Sequence, residues 1–372
     1  MNTLDTRVRE IWQTLHEIPE PGFCEHKTAA FLAEALQKAG FSVQTGLGKT
    51  GVTGVLDSGN PGPAVGLRAD MDALVHKVDG KDTAIHSCGH DAHASMLLAA
   101  AEEAARRGIA KGRLKIIFQP AEELLTGALE LCKAGVADDL DYLIGAHLRP
   151  VQEARMGTAT PALCHGANRL MEVSVHGAPA HGARPHLGIN AANAAAAIVN
   201  AVNAIKTDPQ VAASVKVTRI VADAGVSNAI PAEAHVSLDL RAQTNAVMQE
   251  LIEKTENAIR YGALTVGATA DILSCQGCPA AEYTDEVTAL LSEAIVDVLG
   301  KDGLLAPIVS SGSEDFHFFA QNNPKLKVGY LGLGVDLEPG LHHPAMHFNQ
   351  DGLLSGVEIW LRTIDKLNGL SA

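Results

Sequence analysis

The tightest constraint on this chain is a series of short apolar runs, each leading into a residue with chemistry to offer. GVTGVLDS (51–58), AVGLRADMDAL (64–74), LKIIFQPAEE (114–123) and YLIGAHL (142–148) recur along the first half. Each is long enough for a strand of about four to six residues. Segments of helical spacing at 94–107 and 127–134 separate the later runs. Strands alternating with helices predict an α/β fold, a mostly parallel sheet flanked by helices on both faces. Such sheets present ligands beyond the carboxyl ends of their strands. At those ends stand Asp70 after AVGLRA, Glu122 after LKIIFQPA and His147 after YLIGA.

Upstream, residues 4–39 read as helix, broken at Pro19, Pro21 and Gly22. Phe31, Leu32, Leu36 and Ala39 keep helical spacing, and Gly40 ends the segment. The middle of the chain changes character. RLMEVSVHG (169–177) alternates as a strand does, and an Ala-rich helix follows over 190–205. Strands at 213–221 and 235–241, a helix at 246–261 and a strand near 268–274 complete a β-α-β-β-α-β order. That order predicts a ferredoxin-like α+β sandwich. It occupies 167–276 as an insertion, leaving 1–166 and 277–372 as the larger domain, which resumes with a helix over 284–299.

With 372 residues the chain has room for two domains. Its net charge of -14 argues against nucleic acid as a partner. No apolar run reaches the roughly 18 residues of a membrane span. The first residues, MNTLDTRVREIWQTLHEI, carry charges too often for a secretory signal, so a cytoplasmic protein is expected. Cys24, Cys88, Cys132, Cys164, Cys275 and Cys278 are too scattered for a disulfide framework.

Ser87-Cys88-Gly89-His90-Asp91-Ala92-His93 packs a thiol, two imidazoles and a carboxylate together. Cys88 and His90, two apart on a loop, can turn toward one ion. Thiolate and imidazole suit zinc, and imidazole also suits manganese or cobalt. Asp70 and Asp91 are candidates to orient such ligands from behind. A polar loop capping the 94–107 helix would give the same string. In Glu122-Glu123, one carboxylate can bind metal while its neighbour takes a proton from an activated water. The pair also suits an ordinary acidic helix start near Leu124. His147 and His342, in the Gly/Pro-rich segment with His343 and Pro344, are structural residues if taken singly. As a set, Cys88, His90, Glu123, His147 and His342 offer five ligands, which suits two ions about 3.5–4 Å apart.

LRADMDAL, SCGHDAH, FQPAEE, GAHL, SGSEDF (311–316) and LHHPAMHF, in this order, resemble the M20 metallopeptidase family across nearly the whole chain. The likeness is to its amidohydrolase branch of aminoacylase-like, hippurate and auxin-conjugate hydrolases. The resemblance implies that Cys88, His90, Glu123, His147 and His342 bind two divalent metal ions (manganese, zinc or cobalt) and that Glu122 is the general base. It implies that the inserted sandwich is a lid and dimerisation domain. There His181, in Gly177-Ala178-Pro179-Ala180-His181, donates to the oxyanion, usually in the partner subunit's site. Asn228 in VSNAIP and Arg241 in LDLRA match positions that hold a substrate carboxylate. An N-acyl amino acid is the implied substrate, and a homodimer is implied; the alternative is a dipeptidase, a carboxypeptidase, or a hydrolase of another small amide, carbamoyl group or aryl-amine on the same two-metal site.

His181-Gly182-Ala183-Arg184-Pro185, Gly188-Ile189-Asn190 and Ser274-Cys275-Gln276-Gly277-Cys278 look most like the aminobenzoyl-glutamate hydrolase subgroup. Cys275-x-x-Cys278 lacks a second pair, so a structural role is expected. Departures from the family lie at Val75-His76-Lys77-Val78, where Pro-Ile-x-Glu is usual, in Gly-Ala-His-Leu-Arg-Pro, and in the short stretch before SCGHD. Ser311-Gly312-Ser313-Glu314-Asp315 invites a nucleophilic serine, but Gly-x-Ser-x-Gly is absent. Ser313 and Glu314 are expected to line or support the metal site. A binding protein that kept the fold would have lost Glu122 or a ligand, and neither is lost.

Overall fold

A computed structural model describes residues 3–371. The chain forms two compact units. One comprises the chain up to Cys164, Glu282–Val309 and the chain from Glu314 on; the other is His165–Ala281 with Ser310–Ser313.

The first unit is built on a seven-stranded sheet in the order Ser42–Leu47, Gly51–Asp57, Arg113–Gln119, Ala64–Asp70, Tyr142–Pro150, Lys327–Leu337, Ala159–Thr160. The central pairings are parallel and those toward both edges antiparallel. The sheet expected to be mostly parallel is therefore mixed. Only residues 48–50 join the first two strands, and a parallel crossover needs a dozen or more.

Ala64–Asp70 is buried along its whole length, as a central strand covered on both faces must be. Alternation directs Leu114, Ile116, Phe118, Ile144, Ala146 and Leu148 into the main core. Leu97, Leu98, Ala101 and Ala104 of the helix His90–Arg107 enter the same core, as do Val357, Trp360 and Ile364 of Gly352–Asn368. Gly89, at a left-handed φ of 89°, turns the chain from Cys88 straight into the first of these helices. His90, expected on a loop, is thus its first residue. The helix expected near Leu124 instead begins at Gly127. The break in the N-terminal helix separates Thr3–His16 from His26–Lys38. No helix among the described residues is long and apolar enough to cross a membrane.

The second unit has an antiparallel sheet in the order Ala213–Val221, Glu233–Ala242, Ala167–His176, Thr269–Gln276. Two helices, Ala191–Asn203 and Asn245–Leu264, share its core. Each is capped by a side chain: Asn190 Oδ1 accepts the Ala192 N–H, and Thr244 accepts the Val247 N–H. Met171, Val173, Val175, Val236, Leu238 and Leu240 face these helices, giving a core separate from the first. Cys275 packs against this core; Cys278 is buried and its N–H donates to Asn168.

Candidate metal centre

Three parallel strands and the connections after them carry most of the site. Ala64–Asp70 leads into Asp72, and Arg113–Gln119 leads through Pro120 into Glu122 and Glu123. His147 lies within Tyr142–Pro150, while Cys88 and His90 flank the left-handed Gly89. His342, also left-handed at φ 63°, donates its N–H to the Ser87 carbonyl at 2.7 Å.

The donor atoms of Cys88, His90 and His147 lie within 4.8 Å of one another, and so do those of Cys88, Glu123 and His342. Two three-donor groups therefore share the Cys88 sulfur. Cys88 Sγ stands 3.4 Å from His147 Nε2, and His342 Nε2 stands 3.4 Å from Glu123 Oε1. His90 Nδ1 donates to Asp72 Oδ1 at 3.0 Å, and His147 Nδ1 donates to the Leu148 carbonyl at 2.6 Å. Each bond leaves Nε2 as a lone pair aimed into the cluster. Among the described residues, His90 Nε2 and Glu123 Oε1 are buried without a hydrogen-bond partner. Such atoms are costly to bury, and an ion bonded at about 2.0–2.3 Å would satisfy them. Sulfur, imidazole and carboxylate donors at this spacing fit divalent metal.

Glu122 is 6% exposed, and its Oε2 lies 3.9 Å from His90 Nε2. Among the described residues its carboxyl makes no hydrogen bond. Burial, then Glu314, Asp315 and Glu123, push it well above the usual carboxylate range. Glu314 and Asp315 form a group with Glu122 that also has metal-like spacing. Their oxygens, however, are already engaged. Glu314 accepts from Arg68, Tyr330 and the Phe316 N–H; Asp315 accepts from Gln119, Arg68 and the Ala128 N–H. Arg68, 0% exposed, balances this wall of charge behind Glu122. Glu314 thus supports the site from behind, whereas the Ser313 hydroxyl, in the other unit, donates to the Gly166 carbonyl.

Burial, then Glu123, push the Cys88 thiol well up, and burial, then His93, push His147 well down. A bound cation reverses the first of these, because it binds the thiolate.

Two carboxylates fall differently from expectation. Asp70 holds His93, whose Nδ1 donates to it at 2.7 Å while Nε2 accepts the Leu148 N–H beside His147. Asp91 points elsewhere: it accepts from His16 Nδ1 at 2.7 Å and from the Ala92 N–H. The orienting role expected of Asp91 is filled by Asp72, which holds His90 and also accepts the Glu123 N–H at 3.1 Å. Its signal was present in the sequence, two residues beyond Asp70 in the same run.

In the second unit, His181 pairs with Ala229 in a two-stranded ribbon, and the Gly182 N–H donates to the Asn228 carbonyl. His181 Nδ1 accepts the Ala183 N–H, which leaves Nε2–H as an exposed donor. Arg241 is already engaged with Asp239 through Nε at 2.8 Å and Nη2 at 3.1 Å. To take a substrate carboxylate it must share or release that partner.

The pattern of peptidase family M20/M25/M40 matches residues 66–366. The chain is 31% identical to a hippurate hydrolase of Campylobacter jejuni, over 95% of this chain and 94% of that one. It is 27% identical to one of the p-aminobenzoyl-glutamate hydrolase chains of Escherichia coli, over 98% and 96%. The crystal structure of a dinuclear metal-binding M20 peptidase from Bacillus subtilis superposes with a TM-score of 0.81 at 24% identity, covering 100% of both chains, a likeness of fold. Six ordered motifs, two donor triads around Cys88 and a match over most of the chain converge, and the chain belongs to peptidase family M20/M25/M40 as a hydrolase of C–N bonds.

Proposed function

We propose that the chain hydrolyses the amide bond of N-acyl amino acids, with Glu122 as general base beside two divalent ions. Cys88, His90, Glu123, His147 and His342 would hold the ions. The observation that carries this reading is the pair of donor triads around Cys88 beside an unbonded, buried Glu122. The two relatives add support, since hippurate and aminobenzoyl-glutamate are both N-acyl amino acids.

Bound divalent ions supply an acidified water and polarise a carbonyl. The rest is this chain's own work. Glu122 takes the proton of the attacking water and returns it to the leaving nitrogen, its carboxyl being free of other hydrogen bonds among the described residues. The Nε2–H of His181 donates to the developing oxyanion, in the same chain or its partner's. Asn228 and Arg241 hold the amino-acid carboxylate. The reading includes a cytoplasmic homodimer joined through the inserted unit, and manganese, zinc or cobalt as the metal.

Chelator-stripped enzyme, with manganese, zinc or cobalt restored, is assayed for free amino acid from acetyl-, benzoyl- and aminobenzoyl-amino acids and from dipeptides. Metal-dependent release from an acyl-amino acid supports the reading and names the acyl group. Release from dipeptides alone favours a peptidase, and no release from metal-loaded enzyme refutes both in favour of another small amide or aryl-amine as substrate.

A further inference from the structure

The segment from Pro19 to Thr28 does more than break two helices apart. Its acidic residues are used in an unusual way. Glu25 occupies the position before the helix His26–Lys38, where a carboxylate ordinarily accepts the first free N–H groups. It makes no such bond. Glu20 does this instead, accepting the Lys27 N–H at 2.9 Å and the Thr28 N–H at 2.9 Å. Glu25 is left to turn inward and is 0% exposed. Burying a carboxylate with no cation beside it is costly unless hydrogen bonds compensate.

The inward carboxylate is spent on one place. Its Oε1 accepts the Ala121 N–H at 2.8 Å, and its Oε2 accepts the Thr50 hydroxyl at 2.5 Å. Ala121 immediately precedes Glu122 and holds a left-handed φ of 52°, a strained conformation for a residue with a Cβ. A second contact meets the same residue. Gly22 packs so closely that an added Cβ would lie 3.0 Å from both Cα and Cβ of Ala121. A third link joins the segment to the other turn of the site: the Ala73 N–H donates to the Glu20 carbonyl at 2.9 Å, next to Asp72.

We propose that Glu25 is a positioning residue for the general base, a buried clamp that holds Ala121 left-handed and so aims Glu122 at the reacting water. Gly22 packs against the same residue, where an added Cβ would crowd Ala121. The inference rests on the reading of Glu122 as the base, but the clamp itself is a statement about the 118–126 turn.

The test uses full-length, metal-loaded protein and three variants. In Glu25→Gln the amide oxygen still accepts from Ala121, so hydrogen exchange in 118–126, kcat and KM stay within about threefold of wild type. In Glu25→Ala the turn loosens: exchange there quickens about tenfold or more, and kcat falls about tenfold or more while KM and metal content hold. Thr50→Val removes only the second bond and gives a smaller change in the same direction; it is the fallback if Glu25→Ala does not fold. Folded Glu25→Ala or Thr50→Val protein with wild-type exchange and kcat overturns the clamp. A wild-type protein that turns over no acyl-amino acid, but whose turn still loosens in Glu25→Ala, overturns the acyl-amino-acid reading and leaves the clamp standing.

Discussion

Four buried acids crowd the site within a few residues of one another in space, and their hydrogen bonds separate their roles. Asp72, Glu314 and Asp315 have their oxygens committed to His90, Arg68, Tyr330, Gln119 and backbone N–H groups. Glu122 commits neither oxygen. Glu122→Gln is therefore expected to lower kcat by about two to four orders of magnitude while the bound metal, measured by elemental analysis, is unchanged. Retention of most activity would remove Glu122 from the base role. Cys88 belongs to both donor triads, so Cys88→Ala should cost more metal per chain than His342→Ala, which touches only one. Equal losses in the two variants would argue against a shared sulfur. Motif order picked out Cys88, His90, Glu122, Glu123, His147 and His342 as candidates. The choice between Asp72 and Asp91 was not legible, because orientation depends on rotamers. Asp91, on the first turn of its helix, swings to His16.

Among the elements, the turn between Gln119 and the helix Gly127–Lys133 is the most demanding. It holds two left-handed residues, Ala121 at φ 52° and Leu125 at φ 54°, and Gly127 donates its N–H to the Ala121 carbonyl. A Cβ on Gly127 would run into the Pro120 carbonyl, a backbone atom that cannot step aside alone. Gly127→Ala should thus destabilise the protein by about 1–3 kcal/mol in denaturant titration and lower kcat with it; wild-type stability would show that the turn has slack. The helix His90–Arg107 carries a pH-dependent contribution at its far end. The Arg106 guanidinium, with Arg107, pulls Glu103 down to about 2 from its ordinary 4.5. A lowered carboxyl stabilises the fold above its unfolded value and loses that effect as pH falls through its folded value. Glu103→Gln should therefore cost at most about 1 kcal/mol near neutral pH, water screening the rest. The difference from wild type should vanish as pH falls from about 4.5 toward 2. A constant difference across that range would mean the ion pair contributes nothing.

For the molecule as a whole, the buried His90 Nε2 and Glu123 Oε1, which make no hydrogen bond among the described residues, predict that metal is part of stability. Removing it with chelator should lower the thermal midpoint, and restoring a fitting ion at about a hundred times its Kd should return about 2.7 kcal/mol. An unchanged midpoint would leave those two atoms unexplained. The proposed sharing of sites between two copies of the chain has its own test. Mixed Glu122→Gln and His181→Ala chains, each inactive alone, should regain part of the activity if His181 serves the partner. No recovery in proven mixed dimers would place His181 in its own chain's site.

Much of this was carried by local chemistry in the sequence. Short apolar runs marked the strands of the larger domain, the alternation of 169–177 marked the first strand of the insertion, and helical spacing marked the helices. Cys88, His90, Glu122, Glu123, His147 and His342 stood out because ligand-type residues cluster at element ends. What the chain could not state locally is decided by distance in space. Which strands lie side by side at the centre of the sheet is one such choice: Ala64–Asp70 pairs in parallel with Arg113–Gln119 and Tyr142–Pro150, both remote in sequence. Asp72 rather than Asp91 holds His90, and Glu25 reaches Ala121 across 96 positions. Hydrogen bonds act over about 3 Å, so which carboxylate clamps and which stays unbonded is settled only once the core has folded around them.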